Sequence, residues 1–567
     1  MNLENEIRAY ALRNSIEYGT TSADKILPKL FQHGLEKKEI GKIMPEIVKI
    51  VKSINALSDK HKHEEFERYK KYLIEKTEKE HRLSELPNIS KKMVFRLAPY
   101  PSGAIHIGNA KTYLLNALYA EKYNAKILFM MDDTIGSEEK QVMPESYTLI
   151  PAAFDWLNVK YEKPILCKSD RLDIYYKYAL ELIKKDKAYI CFCAQEKLRD
   201  NRANGKDCEC RSASVEENIE NWDKMFDAKP GACILRLKTS MQHPNPAFRD
   251  RVLFRISDRE HPKVGKKFRV WPTLEMTWAI DDHLLGITHI LRGNDLMIET
   301  DMEKYIWDIF GWKHPETMHA GLIKIEGIEG AKLSKSKAQK EVKSGAFTGW
   351  DDPRTWSIQS LKRRGFRPDA IRDFIKEIGL NKQDITVPID ALYAINRKLI
   401  DPESMRFSFV ESPVELDVKE ALEINEVEVQ IHPDKPAHKR IVPISPGKLF
   451  ISKKDFDSLK GQEIRLLHLY NIKLGKTATK LKGKSVANEK AKAIFTSEEN
   501  KPIHKINWVS NPVKTRILMV DGTWVEGFAE EAISTLNPGD VIQFERNFFC
   551  RFDKLNGDVY EFWFTHR

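Results

Sequence analysis

The spacing of apolar and polar positions changes twice along the chain, at about residue 90 and again near residue 395. Before residue 90 the apolar positions recur at three- and four-residue steps, as in Ile47, Ile50, Val51 and Ile54, which predicts helices. Ser22-Ala23-Asp24-Lys25-Ile26-Leu27 reads as a capped helix start, and His61–Arg82 as a mixed-charge solvated helix or linker. From Met93 short apolar runs alternate with helical spacing. Met93–Leu97 reads as a strand, Pro99–Gly103 as a loop, and His106–Tyr123 as a helix with Leu114, Leu115, Leu118 and Tyr119 on one face. Lys126–Met131 is a second buried strand, ending in Asp132-Asp133. Strand, helix, strand predicts a parallel sheet with its ligand at the carboxyl ends of the strands. Residues 161–270 interrupt this texture, with a charged helix near Val215–Phe226 and short strands such as Ala232–Leu237. It resumes at Ile287–Leu291, and a helical segment follows over Arg354–Ile378. Beyond residue 395 the pattern is strand-like to the end. Its clearest piece is Phe548–Thr565, two aromatic-rich runs flanking the turn dipeptide Asn556-Gly557.

Length and composition narrow the class. A chain of 567 residues has room for about four domains. No apolar run approaches the roughly 18 residues of a membrane span. Acids at Glu4 and Glu6 are unlike a targeting peptide. The expectation is a soluble protein, neither secreted nor membrane-bound. With 93 basic and 83 acidic residues, the net charge of +10 permits a polyanionic partner without demanding one. Seven cysteines, an odd and clustered set, argue against a disulfide framework and for a reducing, cytoplasmic compartment. Cys191 and Cys193, then Cys208 and Cys210 after fourteen residues, match a tetrahedral four-thiolate zinc site of structural type, the alternative being four reduced thiols. Lys473–Lys492 holds seven lysines against the single acid Glu489. It reads as a mobile loop able to track phosphates, or equally as a solvated loop.

Two stretches carry phosphate chemistry. Arg96–Asn109 places His106, Gly108 and Asn109 at a helix start, whose unpaired N–H groups and positive end suit phosphate. Lys332-Leu333-Ser334-Lys335-Ser336 follows Gly327, Gly330 and Ala331, and its two ammonium groups can close on a polyphosphate. In this order, the two stretches resemble the His-Ile-Gly-His and Lys-Met-Ser-Lys-Ser signatures of class I aminoacyl-tRNA synthetases, with Asn109 for the second His and Leu333 for Met. Further stretches resemble the glutamyl/glutaminyl branch, in its archaeal glutamyl type. They include Asp132-Asp133-Thr134, Val215–Asn218, Trp271-Pro272-Thr273, Asp281–His289, Leu291-Arg292-Gly293, Gly349–Arg354 and Leu361–Gly365.

The resemblance implies a multidomain architecture. A helical N-terminal extension (1–90) precedes a Rossmann-like α/β catalytic domain in two halves (91–160 and 271–340). An acceptor-arm domain is inserted between them (161–270). A helical connecting domain (341–395) leads to an all-β anticodon-binding region of two β-barrels (396–567). It implies glutamate–tRNA ligation with ATP and Mg²⁺, glutamate and tRNA(Glu), with tRNA(Gln) as an open second acceptor. Among site residues it implies catalytic roles for His106, Lys332 and Lys335. Gly108, Asn109, Ser334 and Ser336 join these around ATP. Arg96 would face the side-chain carboxylate, Asp132 the α-ammonium group, and Arg292 would lie beside the amino acid and ATP. The residue types alone also allow Arg292 an ion pair with Asp281 or Asp282. Leu274 and Trp278 depart from the polar or aromatic groups the family often places around the amino acid. The alternatives are a glutaminyl-tRNA synthetase, an adenylyltransferase acting without RNA, and a tRNA-binding protein without catalysis. The N-terminal helices are left as a candidate surface for another protein.

Overall fold

The computed structural model describes residues 3–36, 39–73, 83–136, 141–327, 335–435, 437–445, 448–480 and 489–567. The chain forms two units, Met1–His81 and Arg82–Arg567. In the first, the helices Glu4–Tyr18, Ala23–Leu30, Ile40–Asn55 and Asp59–Tyr69 bury a common apolar core. Ile47, Ile50, Val51 and Ile54 all point into it, as their spacing predicts. The second helix starts after Ser22, although the Ser22 side chain makes no capping bond to the backbone.

In the second unit, Val94–Leu97, Lys126–Met131 and Glu162–Cys167 form a parallel sheet in that order. Thr288 extends it past Val94: its N–H donates to the Val94 carbonyl at 3.0 Å, and its hydroxyl accepts from the Val94 N–H at 2.9 Å. This brings in His289–Gly293 with its parallel neighbour Glu316–Ala320. The helix Ile107–Tyr123 buries Leu114, Leu115, Leu118 and Tyr119 in one core with Phe95, Leu97 and Phe129. Between the halves, Ala188–Cys191, Ile234–Leu237, Val252–Ile256 and Val270–Pro272 make an antiparallel sheet. Trp222 and Met225 of the helix Val215–Met225 share its apolar core.

Three sequence expectations need correction. The helical segment Arg354–Ile378 is broken into pieces, the end of the 3-10 turn Pro353–Thr355 and the helices Ile358–Arg363 and Pro368–Ile378. Trp356 (φ +51°) and Gly365 (φ +89°) take left-handed conformations that end helical runs, and Pro368 has no N–H to continue one. Lys473–Lys492 is mostly not a loop: Asn471–Lys480 and Glu489–Ser497 are paired antiparallel strands, and only 481–488 lie outside the described residues. The C-terminal hairpin turns one residue later than its dipeptide suggests. Asn556 pairs with Val559, so Gly557 (φ +62°) and Asp558 make the turn. A positive φ at the first central residue alone is the sign pattern of a type II′ turn, where Gly is favoured.

Both C-terminal sheets are nearly closed barrels. The seven-stranded sheet runs from Arg406–Phe407 at one edge to Phe409–Glu411 at the other, so neighbouring pieces of chain bound its two edges. In the six-stranded sheet, the edge strand Leu449–Ser452 bridges through Phe450 to Val509, just beyond the other edge strand Lys505–Ile506. Among the described residues no helix is long and apolar enough to cross a membrane.

Candidate active site

The loop before the helix Ile107–Tyr123 is held by close backbone approach. Gly103 has φ +130°, and a methyl group there would lie 2.2 Å from the Trp350 ring. Ile107 N–H donates to the Trp356 carbonyl at 3.1 Å, and Ile358 N–H to the Ile105 carbonyl at 2.8 Å. His106 is the helix N-cap, and its Nδ1 accepts from the Asn109 N–H at 3.4 Å. With Nδ1 accepting, the network assigns the neutral ring's proton to Nε2, which is then a donor at the positive end of the helix. His106, Gly108 and Asn109 are all half-buried. Lys332 and Ser334 lie outside the described residues. Lys335 and Ser336 open the helix Lys335–Lys343, and their side chains are likewise outside the description.

The strand ends converge on a buried cluster of charges around Trp278. Arg96 lies in the strand Val94–Leu97, and Asp132 follows Lys126–Met131. Lys168 follows Glu162–Cys167, and Arg292 lies in His289–Gly293. Arg96, Arg292 and Lys168 stand 4.6, 4.8 and 4.9 Å from the Trp278 ring. Each has an acid. Arg96 makes a two-pronged pair with Asp282 at 2.5 and 3.0 Å. Arg292 pairs with Glu303 at 2.9 and 2.5 Å. Lys168 reaches Asp132 at 3.0 Å and donates to the Thr277 hydroxyl at 2.7 Å. The ion pair between Arg292 and Asp281 or Asp282, which the residue types allowed as the alternative, is therefore not formed. Asp282 is taken by Arg96, and Asp281 accepts from Arg171 (2.9 Å) and Tyr175 (2.5 Å). Burial works against the Arg96 charge, but Asp282 and Glu303 outweigh it and its pKa is raised. Burial also draws the Lys168 ammonium below the ordinary lysine range, against the pull of Asp132. Asp133 plays a different part, accepting from Ser169 N–H (2.9 Å), the Ser169 hydroxyl (2.7 Å) and the Tyr147 hydroxyl (2.7 Å). Beside the cluster opens a cleft of about 480 Å³, lined in part by Tyr100, Thr134, Arg202, Arg255 and Leu274.

In the insertion the four cysteines come together. One Sγ atom from each of Cys191, Cys193, Cys208 and Cys210 lies within 4.8 Å of the others. Cys191 and Cys208 are 3.8 Å apart, and Cys193 and Cys210 4.0 Å. A tetrahedron with zinc–sulfur bonds of about 2.3 Å has edges of about 3.8 Å, so the set fits zinc. None of the four is in a disulfide. The buried Arg236 donates to Cys208 Sγ at 3.6 Å and Cys191 Sγ at 3.8 Å, and Phe192 N–H donates to Cys210 Sγ at 3.5 Å. A hydrogen bond from the Cys191 thiol pulls Cys208 down to about 5, while the same bond and burial push Cys191 up.

Sequence reasoning missed Lys168, Asp282 as the partner of Arg96, Glu303, Trp350 and Arg236. Only Lys168 carried a usable signal, because it stands immediately after a strand of the parallel sheet, where such sheets place ligand groups.

The family model for the catalytic domain of class I tRNA synthetases (E and Q) matches residues 92–402. Two anticodon-binding domain models of the same class match residues 404–493 and 489–553. The chain is 36% identical to the Glutamate--tRNA ligase of Methanocaldococcus jannaschii, with 100% of each chain covered. It is 39% identical to that of Pyrococcus abyssi, again over 100% of both chains. For Pyrococcus furiosus the figures are 39% identity and 98% of each. Among solved structures, the Glutamate-tRNA Synthetase from Elizabethkingia anophelis aligns at 22% identity over 55% of this chain and 71% of its own, with a TM-score of 0.40, too partial a likeness to build on.

Proposed function

Because the chain belongs to the class I tRNA synthetases of the E and Q group, we propose that it is a glutamate–tRNA ligase. It activates glutamate with ATP and transfers it to the 3′ end of tRNA(Glu). The observation that carries the reading is the cluster at the strand ends. It offers a guanidinium, Arg96, for a side-chain carboxylate and a buried carboxylate, Asp132, for an ammonium group, and the loop that follows the Arg96 strand leads to a helix start capped by His106. The glutamate α-carboxylate attacks the α-phosphorus of ATP, and the bond to the bridging oxygen breaks to release pyrophosphate. His106 Nε2–H and the helix start meet the charge that spreads over the phosphate oxygens, with Gly108 and Asn109 beside them. Lys332 and Lys335, with Ser334 and Ser336, would close over the same oxygens. Mg²⁺ arrives with the ATP phosphates. Arg292, paired with Glu303, steadies the wall of the pocket. In the second step a hydroxyl of the terminal tRNA ribose attacks the activated carbonyl, and AMP leaves.

Around this centre, 161–270 would meet the acceptor arm and 396–567 the anticodon, in a cytoplasmic enzyme. Cys191, Cys193, Cys208 and Cys210 would hold zinc, which supplies no chemistry there and ties the two cysteine pairs together. Met1–His81 lies outside all three matched domains and is our candidate surface for another protein.

The test is aminoacylation of separated tRNA(Glu) and tRNA(Gln) with labelled glutamate or glutamine. Glutamate on tRNA(Glu) is the expected product, and glutamate on tRNA(Gln) would identify the second acceptor. Charging with glutamine alone would overturn the reading. ATP–pyrophosphate exchange should fall at least about a hundredfold in His106→Ala.

A further inference from the structure

We infer that Lys168 is a specificity-determining residue, whose ammonium offsets the Asp132 carboxylate so that the pocket takes an amino acid with a side-chain carboxylate in preference to a carboxamide. This rests on the proposed function, in which Asp132 receives the substrate α-ammonium and Arg96 faces the side chain.

Lys168 is fully buried, Asp132 is 1% exposed and Thr277 is fully buried. The ammonium is fixed from two sides, by Asp132 Oδ1 at 3.0 Å and the Thr277 hydroxyl at 2.7 Å. Apart from Lys168, no donor among the described residues reaches either Asp132 oxygen. One side of a buried carboxylate is thus held by Lys168, and Oδ2 remains for an incoming ammonium group. The Trp278 Nε1 and Arg292 Nε atoms nearby are also buried without partners, as expected where a polar ligand completes the site.

The charge count gives Lys168 its role. Arg96, Lys168 and Arg292 around Trp278 are matched by Asp282, Asp132 and Glu303, so the cluster is neutral. Glutamate brings one net negative charge, and glutamine none. Without Lys168 the pocket as a whole would carry a net negative charge, against which a substrate with a net negative charge of its own must bind. In a buried, low-dielectric setting that repulsion falls on glutamate and spares glutamine. Lys168 and Arg96 lie 4.9 and 4.6 Å from the same Trp278 ring, so the compensating charge acts close to the group that meets the side chain.

The experiment is ATP–pyrophosphate exchange with tRNA present, measured with glutamate and with glutamine on the full-length wild type, Lys168→Met and Lys168→Arg. The readout is the ratio of kcat/KM for glutamate to that for glutamine. Because both values come from one preparation, any misfolded fraction cancels. Lys168→Met should lower the ratio at least about tenfold through a higher KM for glutamate, and Lys168→Arg should keep it within about threefold. If Lys168→Met is insoluble, Lys168→Gln, which can still bond Thr277, takes its place with the same expectation. Equal losses for both amino acids, or an unchanged ratio in an enzyme that prefers glutamate, would overturn the inference and leave the proposed function standing. A wild type that prefers glutamine would overturn both.

Discussion

The pocket around Trp278 and the thiol cluster of the insertion both bury ionisable side chains, and they balance charge in opposite ways. In the pocket three cations meet three acids, each pair within hydrogen-bond reach. In the insertion four thiols gather, and one buried cation, Arg236, donates to two of them, Cys191 and Cys208. The first arrangement is electrically complete and can wait for a zwitterion without reorganising. In the second, a zinc ion in place of the thiol protons is our proposal for what holds the four sulfurs together. If the proposed zinc binds, buried charges in one protein are kept in order by neighbouring side chains in one place and by an ion in the other, and the two should fail differently.

The largest effect is expected in the insertion. Cys208→Ser should abolish a stoichiometric zinc signal in metal analysis and cost on the order of 5 kcal/mol or more of the insertion's stability, with chelation doing the same to the wild type. A metal-free wild type with unchanged unfolding would break the comparison, since the thiols would then need no ion. Next comes the pocket. Asp282→Asn leaves the Arg96 guanidinium buried without its two-pronged partner, and should destabilise the fold by about 3–5 kcal/mol in denaturant titrations. A loss below about 1 kcal/mol would show that Asp132 and Glu303 share the burden.

His566 sharpens the contrast, because among the described residues it has no ion pair with an acid. Burial holds its imidazole down to about 4, against an ordinary value of 6.5, while Asn396 shares a 3.0 Å hydrogen bond with Nε2. The neutral ring is favoured by folding. Its contribution is therefore full above about pH 6.5 and is lost as the pH falls towards 4, where the unfolded chain has taken up a proton that the folded chain refuses. The loss should reach about 3 kcal/mol at the acid end, and His566→Asn should flatten the slope of stability against pH between those values. The smallest effect is expected at Trp278→Phe, which keeps an aromatic face but weakens the attraction for three cations. A change of about 1 kcal/mol is expected, seen as a several-fold rise in KM for the amino acid.

Much of this was legible in the residues. The strand–helix–strand rhythm at Met93–Met131, the helix start at His106 and the grouping of the cysteine doublets are local patterns, and each was found where the spacing put it. The Gly365–Pro368 break was present in the sequence but outweighed by the apolar spacing on either side of it. The lysine-rich stretch misled because its mix of lysines with Thr and small residues, Lys473 to Lys480, suits an exposed strand as well as a loop.

The sequence by itself determined the family and the order of its catalytic and anticodon-binding domains, because those depend on short motifs and on periodicity. Only the tertiary structure decided the partners. Arg96 and Asp282 lie 186 residues apart in the chain, and nothing local says that Asp282 goes to Arg96 and Asp281 to Arg171 and Tyr175. Adjacent residues on the helix Leu274–Leu284 point about 100° apart, so packing alone selects which cation each acid meets.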